Sequence, residues 1–169
     1  MQPARGVDSY ADTPFAWYGV DPVFQIRLER NKKKIPEGVR RVEEASRLTY
    51  LVRDLDVPGD LQRHNLAIVF TPGPLGSRAA GIAPCDYPSV FTDVERERLH
   101  VHGDGSLCLW ASHDPPERRW HHGLGLHSLV EIARRHLLFE IHWWRTGGPD
   151  GGEWPVEDAP HSPDVWSAR

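Results

Sequence analysis

Cysteine is scarce in this chain: its 169 residues contain two, Cys85 and Cys108. They are too far apart for a paired redox or zinc-knuckle motif, and two thiols make a thin disulfide framework, so at least one is read as a candidate reactive thiol. A basic surplus is also missing. With 24 acidic and 20 basic side chains the formal charge is -4 and the pI is near 6.2. Nothing in that balance holds a phosphate backbone, and nucleic acid is not an expected partner. No apolar run reaches the length of a bilayer span, and the opening MQPARGVDSYADTP lacks the basic segment and apolar stretch of a secretory signal. No membrane contact is expected, and the protein reads as soluble and cytoplasmic. Internal repeats are absent, as are HExxH and CxxC elements.

What is present is enough apolar matter for one core: 39% hydrophobic residues, seven of the residues being tryptophan. A single domain over 1–169 is expected. Histidine is unevenly spread. Eight of the ten, His100, His102, His113, His121, His122, His127, His136 and His142, crowd around and after Cys108, which is where chemistry is expected.

Residues 1–21 mix Pro, Gly, Asp and aromatics without period and read as an irregular lead-in, with Phe15, Trp17 and Tyr18 as anchors. From Pro22 to Lys34, Val23 and Ile26 predict one side of a short amphipathic helix that stops before Pro36, its RNKKK end a solvated cluster. Between Arg47 and Phe70 the period becomes two. Leu48, Tyr50 and Val52, then Leu66, Ile68 and Phe70, predict two strands paired antiparallel across a turn at Pro58-Gly59. A Pro/Gly-rich loop follows, and then RLHVHGDGSLCLW, where Leu99 and Val101 alternate with Arg98, His100 and His102 until Gly103-Asp104-Gly105 turns the chain. Leu126, Leu129, Val130, Ala133, Leu137, Ile141 and Trp144 recur at helical steps and predict a long helix, with a Glu131–Arg135 ion pair on its outer face and a stop at Gly147-Gly148-Pro149. Residues 146–169 read as an extended tail anchored by Trp154 and Trp166. The class is α+β.

In a strand, His100 and His102 would project together, and after the turn Ser106, Cys108 and Trp110 would project together opposite Leu107 and Leu109. Two readings of Cys108 follow. Within Leu107-Cys108-Leu109 it is a small hydrophobe of a buried strand, or, beside the imidazoles on a partly exposed face, it is held as a nucleophilic thiolate.

The order of features resembles the ubiquitin-conjugating enzymes: a helix, an antiparallel meander, a YP loop matched by Asp86-Tyr87-Pro88, then a Gly-containing turn into the cysteine. Gly105, Ser106, Leu107, Cys108 and Leu109 stand in the family's register, Trp120 and the long helix follow, and the likeness spans roughly residues 22–145. It implies a ubiquitin-conjugating (UBC-like) fold, an antiparallel β-meander of about four strands with an N-terminal helix and a long helix after the active-site cysteine. It further implies that Cys108 carries a ubiquitin-like protein, or another donor ending in glycine, as a thioester received from an activating-enzyme-like protein. No metal or organic cofactor is required. The family's HPN tripeptide is absent, and counting back from the cysteine puts His100 where its asparagine stands; a histidine can donate the same kind of hydrogen bond or act as a base. His113 and Asp114, in a loop longer than usual, and His102 are further candidates to accept the amine proton. The LCLW run and a closing Glu153-Trp154-Pro155 through His161 are similar to divergent bacterial members that accompany antiphage operons. Some of those travel with a cyclic-nucleotide synthase, a candidate target protein, and others with a ubiquitin-like protein, its activating enzyme and a deconjugating protease.

Two other readings stand beside this one. His100-Val101-His102 on one strand face can bind zinc if His113, His121, His122 or Cys108 supplies a third ligand, as in a metal hydrolase, although this leaves Gly105 to Leu109 unexplained. An inactive ubiquitin-conjugating-like binding module is the other, and the retained Cys108 speaks against it. Cys85, in APCDYP, reads as structural, with a resolving role as its alternative.

Overall fold

The computed structural model of the chain describes residues 22–44, 46–71, 82, 84–111 and 114–156. The expectations for the lead-in, for His113, and for His161 and Trp166 lie outside the described residues.

Period-two patterning builds the centre of the molecule. Strand β2 (Arg47–Leu55) pairs antiparallel with β3 (His64–Phe70), in the register Leu48↔Phe70, Tyr50↔Ile68 and Val52↔Leu66. Those six side chains are buried on one face, as their alternation predicts. The turn between the strands closes with the Asp60 N–H on the Val57 carbonyl at 3.0 Å, around the expected Pro58-Gly59. Strand β1 (Val39–Glu44) flanks β2, and β4 (Ser89–Thr92) flanks β3, giving a four-stranded antiparallel sheet in sequence order. Neither edge strand announces itself in the sequence. β1 buries no residue fully, and β4 has four residues, of which Val90 alone is buried.

Across the buried face lies the long helix, here α2 (Gly125–Thr146). Leu126, Leu129, Val130, Ala133, Leu137 and Ile141 form its core stripe as expected. Two details differ. Trp143 is buried and Trp144 only half-buried. Glu131 pairs with Arg134 and not with Arg135, because Arg134 is already held over the sheet end by Glu37 at 2.6 Å and by the Asp56 carbonyl at 2.9 Å. The helix stops at Gly147, whose φ of 139° lies outside the comfortable range of a residue with a Cβ.

The N-terminal helix, α1 (Pro22–Glu29), is shorter than expected and presents the other face. Phe24 and Leu28, four residues apart, enter the core, whereas Ile26 is 69% exposed and Val23 50%. Tertiary packing explains the reversal, since Phe24 meets Phe70 edge to face at 6.3 Å and the chain after Leu28 abuts the start of α2. A Cβ on Gly125 would stand 3.0 Å from the Arg30 carbonyl. Asn31 takes a left-handed φ of 64°, and the basic run becomes a separate 3₁₀ turn, Lys32–Lys34. Glu29 ties this region to the sheet by accepting from the buried Tyr50 hydroxyl, Lys32 and Arg41, each at 2.9 Å.

These assignments are testable by urea unfolding. Leu129→Ala is expected to cost about 2–5 kcal/mol, the range for truncating a fully buried leucine. Ile26→Ala is expected to cost less than about 0.5 kcal/mol, although the amphipathic pattern of α1 predicted a packed position for it.

Candidate active site around Cys108

The segment from Arg98 to Trp110 is a tight loop, not the expected strand. Val101 and Leu107 form an isolated antiparallel bridge. Around it the His102 N–H donates to the Ser106 carbonyl at 2.8 Å, the Gly105 N–H to the His102 carbonyl at 2.9 Å, and the Cys108 N–H to the His100 carbonyl at 2.8 Å. Gly105 takes a left-handed φ of 84° that closes the turn. Leu107 docks the loop on the sheet edge through its N–H on the Val90 carbonyl at 2.7 Å, and its side chain is buried. The next residue, Cys108, is thereby turned partly outward and is half-buried.

Asp104 fixes the tip. Its Oδ1 accepts from the Ser106 N–H at 3.0 Å and the Ser106 hydroxyl at 2.6 Å. Burial alone would raise the Asp104 carboxyl. The Ser106 hydrogen bonds and the positive charge of His102 outweigh it and hold the group below its ordinary 3.8.

The loop separates the two histidines that a strand would have placed together. His100 has a left-handed φ of 43°, so the alternation breaks at that residue. Its ring packs on Trp154 at 4.4 Å and faces His136 at 6.5 Å. His102 instead lines a cavity of about 20 Å³ with Tyr87, Ser106, Leu109 and Trp110, room for about one water. Ser106 and Trp110 are buried while Cys108 is half-exposed, so these three do not share the predicted face. The carboxylate of Asp114 closes the turn after the cysteine, its Oδ2 accepting from the Ala111 N–H at 2.8 Å.

Three neighbours of this loop, Tyr87, His136 and Glu140, were given no site role from the sequence. Tyr87 stands close enough to the thiol that, after burial, the negative charges of Cys108 and then Asp104 are what raise its phenol above the usual value. His136 and Glu140 lie on the inner side of α2, with Glu140 fully buried and its carboxylate 3.5 Å from His136 Nε2 and 3.9 Å from Arg98 Nε. Burial pulls the Arg98 guanidinium below its ordinary value, against the attraction of Glu140. The signal for this pair was available: positions 133, 136, 137, 140 and 141 share one helical face, so a His and a Glu there must enter the core. Trp154 closes the group, 5.4 Å from His136 and 5.7 Å from Phe139. The tail therefore folds back through a 3₁₀ turn, Gly148–Asp150, where an extended course was expected.

Donor atoms of Cys85, Asp86 and His122 lie within 4.8 Å of one another, and this is the one metal-type grouping among the described residues. His100 and His102 enter no such grouping, because the left-handed turn at His100 sends their rings to different neighbours. His122, named from sequence as one possible third ligand beside His100 and His102, donates its N–H to Asp86 Oδ1 at 2.8 Å and brings Nδ1 to 2.7 Å from the same oxygen. No family, curated protein or solved structure matches the chain. No helix among the described residues is long and apolar enough to cross a membrane.

The Asp104 cap gives a signed pH dependence. A carboxyl lowered in the folded state stabilises it above the unfolded value, and that contribution disappears as pH falls through the folded value. Asp104→Asn is expected to cost less than about 1 kcal/mol at neutral pH, since the group is solvent-screened. Native and variant unfolding curves should converge below the ordinary carboxyl value of 3.8.

Proposed function

We propose that the chain is a ubiquitin-conjugating-enzyme-like transferase with Cys108 as its thioester-forming nucleophile. The observation that carries this reading is the presentation of that thiol. A glycine turn docked on the edge of a four-stranded antiparallel sheet buries Leu107 and Ser106 and leaves Cys108 half-exposed, within the Gly105-to-Leu109 run that stands in the family's register. A second support is local. His100, at the place of the family's asparagine, has the left-handed backbone that Asn, Asp and His tolerate better than other side chains.

Cys108 Sγ, as thiolate, attacks the carbonyl carbon of the thioester on the activating enzyme, whose own thiolate leaves. The donor's carboxyl terminus is then bonded to Cys108. A target amine attacks that carbon, the C–S bond breaks, and the amine proton passes to a base or to water while Cys108 is restored. His100 acts first as a support, since its carbonyl holds the Cys108 amide and its ring is wedged by Trp154. His102, which lines the small cavity beside Ser106 and Leu109, is a candidate to accept the proton. Asp114 spends one oxygen on its turn, and His113 is a further candidate from the sequence. The partners in this reading are an activating-enzyme-like protein, a ubiquitin-like or other glycine-terminated donor, and a target protein, for which a cyclic-nucleotide synthase is one candidate. The likeness to divergent bacterial members supports a role in antiphage defence, in the cytoplasm.

The test is an adduct between the chain and a ubiquitin-like donor, formed with the activating enzyme and ATP. The native chain is expected to gain the donor's mass and to lose it on treatment with a thiol reductant, Cys108→Ser to hold it as a reductant-resistant ester, and Cys108→Ala to form none. An adduct that persists in Cys108→Ala would refute the assignment. His100→Ala is expected to leave thioester formation detectable and to slow discharge to free lysine by about 10²–10³-fold, the size of a lost oxyanion-hole donor or its support.

A further inference from the structure

We infer that Cys85, Asp86 and His122 form a binding site for one divalent transition-metal ion of the zinc type, separate from the Cys108 thiol. Two consecutive residues of the 3₁₀ turn Pro84–Asp86 supply a sulfur and a carboxylate, and the turn His122–Leu124, at the head of α2, supplies an imidazole. All three side chains are half-buried, and their donor atoms already lie within 4.8 Å of one another. In a tetrahedral zinc site, with bonds of about 2.0–2.3 Å, ligand atoms stand about 3.3–3.6 Å apart. To reach it the three side chains turn toward a common centre, and the 2.7 Å contact of His122 Nδ1 with Asp86 Oδ1 opens as the ion enters.

The donor set selects the ion. Thiolate, imidazole and carboxylate together suit zinc and its first-row neighbours, whereas magnesium and calcium take oxygen ligands. Two of the three ligands are oriented in advance. The His122 N–H holds the Asp86 carboxylate at 2.8 Å, and Phe24 packs against the His122 ring at 5.3 Å. Three protein ligands leave a fourth position for water. Binding expels the thiol proton of Cys85 to solvent, so affinity falls on acidification. The ion staples the loop that carries Tyr87 to the turn that starts α2, which joins segments 36 residues apart through the Asp86–His122 contact.

The experiment uses the purified full chain, reduced, stripped with a chelator and titrated anaerobically with Co²⁺. The expected result is a one-to-one end point with a near-ultraviolet thiolate-to-cobalt charge-transfer band, displaced by Zn²⁺. Cys85→Ser should lose that band, His122→Gln should weaken Co²⁺ binding by at least about tenfold, and Cys108→Ser should retain both. If a variant fails to fold by circular dichroism, alkylation of the native chain decides: Zn²⁺ should slow labelling of Cys85 and not of Cys108. Absence of saturable Co²⁺ binding, a band that survives Cys85→Ser, or protection of Cys108 in place of Cys85 would overturn the site. None of these outcomes bears on the thioester adduct, which is read on Cys108 alone.

Discussion

The loop that carries Cys108 is held by aromatic packing more than by backbone. Among the described residues its regular backbone pairing is one isolated bridge to itself and one backbone hydrogen bond to β4, far less than a strand would have. What fixes it is a run of ring contacts from the core outward: Phe24 to Phe70 at 6.3 Å, Phe70 to Trp120 at 6.1 Å, Trp120 to Trp110 at 6.5 Å and Trp110 to Tyr87 at 6.3 Å. Such pairs contribute about 0.5–1.5 kcal/mol each beyond the area they bury. The run begins on α1, passes through the sheet, and ends on the tyrosine whose phenol senses the charge of Cys108. The thiol's position is therefore a property of the whole core.

On the other side of the same loop the packing is polar. Arg98, His136 and Glu140 bring three ionisable side chains into a nearly dry space under Trp154. Burying such groups costs free energy that imperfect pairing at 3.5 and 3.9 Å recovers only in part. A core built for stability alone would place apolar residues there. The cost falls on the helix face directly beneath His100, and so is concentrated beside the proposed nucleophile.

Much of the scaffold was legible because it follows simple periods. The alternation at Leu48, Tyr50 and Val52 against Leu66, Ile68 and Phe70 determined the central pair and its buried face, and the stripe from Leu126 to Ile141 determined α2. Legibility ended where tertiary contacts override local pattern. In α1, Val23 and Ile26 face outward because Phe24 offers the larger ring to Phe70. Around Cys108 the alternation from Arg98 to His102 predicted a strand, but one left-handed residue, His100, redirects the chain, and no periodicity reports a positive φ. The cysteine itself was picked out by the register of GSLCL, whereas its neighbours Tyr87, Glu140 and Trp154 come from distant segments. The pairing of His122 with Asp86 was invisible for the same reason.

The return of Trp154 over His100 has a consequence for how the chain comes into being. The loop containing Cys108 is synthesised long before Trp154, and domains fold as units while the chain emerges from the ribosome. Until the segment beyond α2 has been made, the His100 ring lacks its cover and the ionisable cluster beneath it lies open to water. The surroundings of Cys108 thus mature last, so a nascent chain with its sheet already paired would still lack the finished pocket.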